Sequence, residues 1–266
     1  MTTIEQLRSS GVALALGGGG ARGIAHIGVL KVLAEEGIPV RGVAGTSAGS
    51  VVGAALCAGR DWRWILAAAR SLRWGELVQP TVPRMGMLAT ERLERYLERS
   101  LGARRFEDLG LPFAAIAVDI ATGEEVVLRS GELAPAIRAS CSVPGIFEPV
   151  DLAGRLLVDG GLLNDVPADV ARRIAGGPVL AVKLNGSARE PARPRTIVDV
   201  ITASFAIVAL HGIQQGLAGA DIVVAPDLGR ASYRDLRRVD ELAAAGETAA
   251  RAALAAADRA AAGRAP

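Results

Sequence analysis

Apolar positions along this chain fall in short, unbroken runs separated by segments with helical spacing. Residues 12–16, Val-Ala-Leu-Ala-Leu, carry no polar side chain, as a strand covered on both faces requires. Residues 24–36 are apolar nearly all round until an acidic end, and Gly37-Ile38-Pro39 stops them, which predicts a helix buried against a sheet. A second strand at 39–44 leads to a helix of small residues at 50–58 that ends near Gly59. Residues 91–101 form an amphipathic helix with Leu93, Leu97 and Leu101 on one side, and 113–118 a buried-type strand, with 125–128 pairing beside it across the Thr122-Gly123 turn. A helix at 133–141 closes at Pro144-Gly145; a strand at 156–158, a short helix at 168–174 and a strand at 179–184 follow. Long helices at 197–216 and 240–262 flank a last strand at 222–225. The alternation predicts an α/β fold, a three-layer α/β/α sandwich with a mainly parallel central sheet. Without repeats or a linker, it reads as one domain over 1–266.

Composition narrows the function classes. A chain of 266 residues can bury about three quarters of its unfolded surface in one core, without disulfides or metals. Cys57 and Cys141 have no C-x-x-C partner and lie among apolar residues, so both read as packing residues; a disulfide scaffold, a zinc site and any other metal or cofactor are not expected. A net charge of +2 does not imply nucleic-acid binding, and all basic residues except Lys31 and Lys183 are arginine. Residues 1–8 lack a basic segment followed by a long apolar one, and the apolar stretch 201–210 is too short for a bilayer, so the expected location is the cytoplasm.

Candidate chemistry begins at Gly45-Thr46-Ser47-Ala48-Gly49, where a strand meets a helix. A sharp turn of this kind exposes a serine and leaves no room for side chains two places to either side, so Ser47 reads as a nucleophile. Upstream, the strand at 12–16 runs into Gly17-Gly18-Gly19-Gly20-Ala21-Arg22-Gly23 and then into a helix. Two functions compete for this run. A dinucleotide site would use Gly18, Gly20 and Gly23 to hold a pyrophosphate, with an acidic residue about 20 positions on, but that count lands near Val43 and Ala44. The same outward amides at a helix N-terminus would equally hold the oxyanion of a tetrahedral intermediate. The third signal, Asp159-Gly160-Gly161, puts a carboxylate at the end of a buried strand, where open α/β sheets bind ligands, although Asp-Gly is also a common turn. In the order serine, acid, histidine only His211 comes late enough, but it lies inside a long helix, a poor place for a triad histidine, and His26 sits one turn into an earlier helix, so both read as packing or capping residues. A dyad in which Asp159 takes the Ser47 proton is simpler.

The blocks 17–23, 45–49 and 159–161, in that order, with Ala21-Arg22-Gly23-Ile24-Ala25-His26-Ile27-Gly28-Val29-Leu30, Ala139-Ser140-Cys141-Ser142-Val143-Pro144-Gly145-Ile146-Phe147 and Gly160-Gly161-Leu162-Leu163-Asn164, resemble the patatin-like phospholipases, in particular their bacterial and neuropathy-target-esterase branch. The resemblance covers about 11–185 and implies a patatin-like fold and hydrolysis of acyl esters in phospholipids, lysophospholipids or neutral lipids, without a metal. It implies a Ser47-Asp159 dyad and an oxyanion hole from the amides of Gly18, Gly19 and Gly20, with Arg22 fixing the loop and the Ala48 amide adding a donor. Gly23, Gly45, Gly49, Gly160 and Gly161 support the motifs, and Asn164 holds the turn that carries Asp159. The implied partner is a lipid or other acyl ester. A phosphate- or nucleotide-binding module without hydrolysis is the competing reading. In the variable stretch 62–90, Trp62, Trp64 and Trp74 interleave with Arg60, Arg63, Arg70 and Arg73, and 75–89, with Met85, Met87 and Leu88, reads as irregular, which suits either a lid docking peripherally on an anionic inner membrane face or an ordinary helix over the core.

Overall fold

The computed structural model describes residues 3–82, 84–185 and 193–262. Helix α1 (Ile4–Ser10), capped by Thr3 and Gln6, leads into strand β1 (Val12–Leu16). A turn of 3₁₀ helix at Gly20–Ile24 enters α2 (Ala25–Glu35); β2 (Val40–Thr46) and α3 (Ala48–Cys57) follow. The stretch 62–90 holds α4 (Trp62–Ser71), α5 (Trp74–Leu77) and a two-stranded ribbon of β3 (Gln79–Pro80) and β4 (Leu88–Ala89). Then come α6 (Glu91–Leu101), β5 (Phe113–Asp119), β6 (Glu124–Leu128), α7 (Leu133–Ser140), β7 (Val150–Leu152) and β8 (Arg155–Asp159). The rest is α8 (Ala168–Ala175), β9 (Val179–Val182), α9 (Ile197–Leu217), β10 (Ile222–Val224) and α10 (Val239–Ala262).

Strands β10, β9, β1, β2 and β5 lie side by side in parallel, and β6, β8 and β7 extend the sheet antiparallel. Alternate residues of the buried strands feed two cores, as the pleat requires. Leu14, Leu16, Leu180 and Val182 face α2, α3 and α10, whereas Ala13, Ala15, Ala44 and Ala181 face α8 and α9. The sheet is therefore sandwiched between helices, and alanine on one face lets α8 approach closely.

Helices α2 and α10 approach closely through glycine. A Cβ on Gly28 would stand 1.9 Å from the Ala243 carbonyl oxygen, and one on Gly246 would stand 1.9 Å from that of Ala25. Around this crossing, Lys31 and Arg251 bind Glu247, and Arg251 also pairs with Glu35.

Two expectations change. The strand at 156–158 is the longer β8, turned back onto β7 by Ala153 and Gly154, both with positive φ. The segment 75–89, read as irregular, contains α5 and the β3–β4 ribbon, which is held to the loop at 146–148 by amides of Met87 and Leu88 on the Ile146 carbonyl.

Candidate active site

Strand β5 sets the geometry. Strand β6 lies along one edge of it, and the other edge is shared by β2 and β8, which arrive from opposite directions. Thr46 at the end of β2 pairs with Ile116, and Asp159 at the end of β8 pairs with Ala117. The two strands thus end head to head at consecutive residues of β5. That register brings Ser47, the residue after β2, to Asp159.

Ser47 has φ 52° and ψ −123°, and it and Ala153 are the non-glycine residues with positive φ among the described residues. Such backbone costs of order 1–3 kcal/mol and persists where its surroundings impose it. Here Gly45 and Gly49 permit the turn: a Cβ on Gly45 would lie 2.5 Å from the Gly49 carbonyl oxygen, and one on Gly49 would lie 2.0 Å from that of Leu16. The Ser47 amide donates to Ser140 Oγ at 3.0 Å, and its carbonyl accepts from Ser50 Oγ at 2.6 Å. The elbow is also tied to the acidic turn, because Thr46 Oγ1 donates to the Asn164 carbonyl at 2.8 Å.

Asp159 is fully buried, and its Oδ1 accepts the Gly161 amide at 2.9 Å. Oδ2 has no hydrogen-bond partner among the described residues. Burial pushes the carboxyl up to about 7, opposed by the Gly161 amide and then by the Ser47 hydroxyl. The hydroxyl is thus near enough to favour the charged form, although the two side chains do not meet as a formed hydrogen bond. Gly160 lies against the Ile116 carbonyl, and Asn164 braces the turn through its amide on the Gly160 carbonyl and its Nδ2 on Asp169 Oδ1 at 3.2 Å.

The glycine loop lies beside this pair, with differences from expectation. The Gly18 amide, expected to be an oxyanion donor, is engaged by the Asp165 carbonyl at 3.2 Å. The amides of Gly19 and Gly20 have no acceptor among the described residues. The Ala48 amide is the first of α3, and Gly23 abuts Ala48, where a Cβ would meet the alanine methyl at 2.5 Å. Arg22 is held by its Nε on the Ala231 carbonyl at 2.8 Å and by stacking 4.0 Å from the centre of the Tyr233 ring.

Three residues outside the sequence reading complete this wall. Tyr233 donates its hydroxyl to Asn185 Oδ1 at 2.8 Å, and Asn185 Nδ2 donates to Asp165 Oδ2 at 3.0 Å. Asp165 is buried beside Gly18. Its carboxyl is also pushed up to about 7, chiefly by burial, with Asn185 opposing and the charge of Asp159 adding to the shift. The clue to Asp165 was its place directly after Asn164; Asn185 and Tyr233 lie outside any motif.

His26 is buried, and its Nε2 meets the Gly17 carbonyl at 2.8 Å; burial lowers its pKa to about 4. His211 is exposed and bonded to the Ile207 carbonyl of its own helix. Both are structural in this geometry. Cys141, read as a packing residue, has its thiol 3.9 Å from Ser50 Oγ at the site, where burial and the Asp159 charge raise its pKa.

A cavity of about 660 Å³ opens over Ser47 and Gly18–Gly20. Its walls are almost entirely apolar: Val52 and Ala55 from α3, Ile65 and Ala68 from α4, Leu93 and Leu97 from α6, and Phe205 from α9. The tryptophans are packed on the protein. Trp64 lines the cavity, Trp62 stacks with Arg63 at 4.5 Å, and Trp74 Nε1 donates to the Arg234 carbonyl at 2.7 Å.

These features define an α/β protein with a serine elbow, a glycine loop and a buried acid at the edge of one sheet. The chain belongs to the patatin-like phospholipase family, whose model matches residues 14–172. It is 41 % identical over 187 residues to an uncharacterised NTE family protein of Mycobacterium bovis, covering 68 % of this chain and 51 % of the relative. To another from Mycobacterium tuberculosis it is 30 % identical over 276 residues, covering 94 % and 47 %. The chain thus spans about half the length of these relatives. Patatin-like phospholipase domain-containing protein 7 of Rattus norvegicus is 37 % identical over 186 residues, 66 % of this chain and 14 % of that protein. Among solved structures, VipD from Legionella pneumophila shares the fold with a TM-score of 0.57 at 17 % identity, over 93 % of this chain and 67 % of that one.

Proposed function

We propose that the protein is a serine acyl hydrolase that cleaves carboxylic esters of lipids. Ser47 Oγ attacks the ester carbonyl carbon as its proton passes to Asp159 Oδ2, giving a tetrahedral oxyanion. The amides of Gly19, Gly20 and Ala48 hold that oxygen, and one such donor is typically worth about 3 to 4 kcal/mol in the transition state. Collapse expels the alcohol, which takes the proton from Asp159, and leaves an acyl-serine. Asp159 then activates water to release the acid. The observation that carries this reading is the head-to-head ending of β2 and β8 on β5, which puts a strained serine and an under-bonded carboxylate together under an apolar cavity.

A fluorophosphonate probe and a p-nitrophenyl butyrate assay test it. Wild type is expected to label and turn over, and Ser47→Ala to do neither. Asp159→Asn is expected to lose at least about a hundredfold in kcat, the scale of general-base catalysis, while His211→Ala stays within about twofold. Absence of labelling in wild type, or a loss in His211→Ala as large as that in Asp159→Asn, would overturn the dyad.

A further inference from the structure

Helix α9 is apolar on more sides than its packing uses. Val198, Thr202 and Phe205 face the cavity, while Ala209 and Ile213 are buried. On the outer side Ile197, Val200, Ile207, Val208 and Leu210 are exposed, at 69 %, 53 %, 58 %, 44 % and 41 %. Five of the ten large apolar side chains exposed among the described residues therefore sit on this one helix. Residues 197, 200, 207 and 208 follow helical spacing, so they form a stripe and not a scatter.

The neighbouring rim has the same character. Val82 and Met85, 73 % and 58 % exposed, stand on the loop between β3 and β4. That loop is bound to 146–148, and Gly145 lies against Ile201 of α9. Exposed arginines flank the apolar positions in the chain: Arg84 between Val82 and Met85, and Arg193 and Arg195 ahead of the helix. Arg234 is paired with Asp199 in its first turn.

We propose that α9, with Val82 and Met85, is the face on which the protein docks on the interfacial region of an anionic phospholipid bilayer. Two observations select this occupant. The same helix forms a wall of the apolar cavity with Val198, Thr202 and Phe205, so docking its outer side sets the bilayer beside the chamber over Ser47. The flanking arginines complement an anionic surface, where each basic residue adds attraction that salt screens. The face is distinct from the tryptophans of α4 and α5, which are packed on the protein.

Docking needs no turnover, so Ser47→Ala protein is the test material, and a failure of the hydrolase reading leaves the result readable. Flotation with phosphatidylcholine vesicles, with and without phosphatidylglycerol, is expected to show binding to the anionic vesicles that weakens in high salt. Adding Ile207→Ser and Val208→Ser is expected to weaken that binding at least about tenfold, since two exposed apolar side chains lose their burial in lipid. Circular dichroism checks that the substituted protein keeps its fold. Absence of vesicle binding, binding untouched by the two substitutions, or an equal loss in Trp62→Ala overturns the proposal. So does a dimer in wild type that the two substitutions dissociate, which would assign the stripe to a second copy of the chain.

Discussion

The Asp159 carboxyl has one oxygen on the Gly161 amide and the other without a partner among the described residues, and burial holds its pKa at about 7. In the proposed reaction Asp159 acts in its charged form, so kcat/KM is expected to fall as pH drops below about 7. Stability runs the other way. An unfolded aspartate titrates near 3.9, so the folded state binds this proton more tightly, and ionising Asp159 destabilises the fold increasingly as pH rises from about 4 to 7. Asp159→Asn, neutral throughout, is expected to melt above wild type at pH 8, by about 2 to 4 °C per kcal/mol relieved, with the gap closing towards pH 4. His26 titrates in both proteins and cancels in the difference. The charge of Asp159 adds to the upward shift of Asp165, so in Asp159→Asn the Asp165 carboxyl is expected to titrate lower than in wild type, measured by carboxyl NMR. Ser47 and Asp159 were legible as residues because each sits in a glycine frame that marks a turn. Asp165 had only its place after Asn164 to mark it, and Asn185 and Tyr233 had nothing, because their hydrogen-bond chain joins segments far apart in sequence.

Elements were legible where burial is continuous. The runs at 12–16 and 113–118 are strands because both faces are covered, and the helix after the glycine loop lies where its apolar spacing put it, after one 3₁₀ turn. Strand β7 escaped notice because three residues with an exposed aspartate carry no periodicity; its pairing with β8 decides it. Likewise, the residues 24–36 disclosed a buried helix but not its partner. Gly28 and Gly246 reveal the partner only together, 218 positions apart, as the backbone contact between α2 and α10. Gly246→Ala forces a methyl to 1.9 Å from the Ala25 carbonyl oxygen, and separating the helices is expected to cost about 1 to 3 kcal/mol. Urea unfolding should show a lower midpoint with an unchanged slope.

At the scale of the whole molecule, the cavity of about 660 Å³ is assembled from α3, α4, α6, α9 and the glycine loop. Its apolar walls have the same composition as packed core, which is why sequence alone could not separate lining from filling. Ala68 of α4 faces it, and Ala68→Phe is expected to cut kcat/KM for a dodecanoyl ester by about tenfold or more, the worth of one or two displaced methylenes, and to leave the butyryl ester within about threefold. A parallel loss on both esters would mean that α4 does not receive the acyl chain. The sheet and the helices above it also carry separate tasks. Spacing between the alcohol and its acid is fixed by one pleat of a middle strand, the step from Ile116 to Ala117, and by nothing in α4, α5 or α6. In the proposed reaction, diversification of that roof can therefore re-select the substrate while leaving proton transfer intact, whereas a single-residue deletion in β5 would offset the seats of Ser47 and Asp159 and turn every later side chain of the strand to the opposite core.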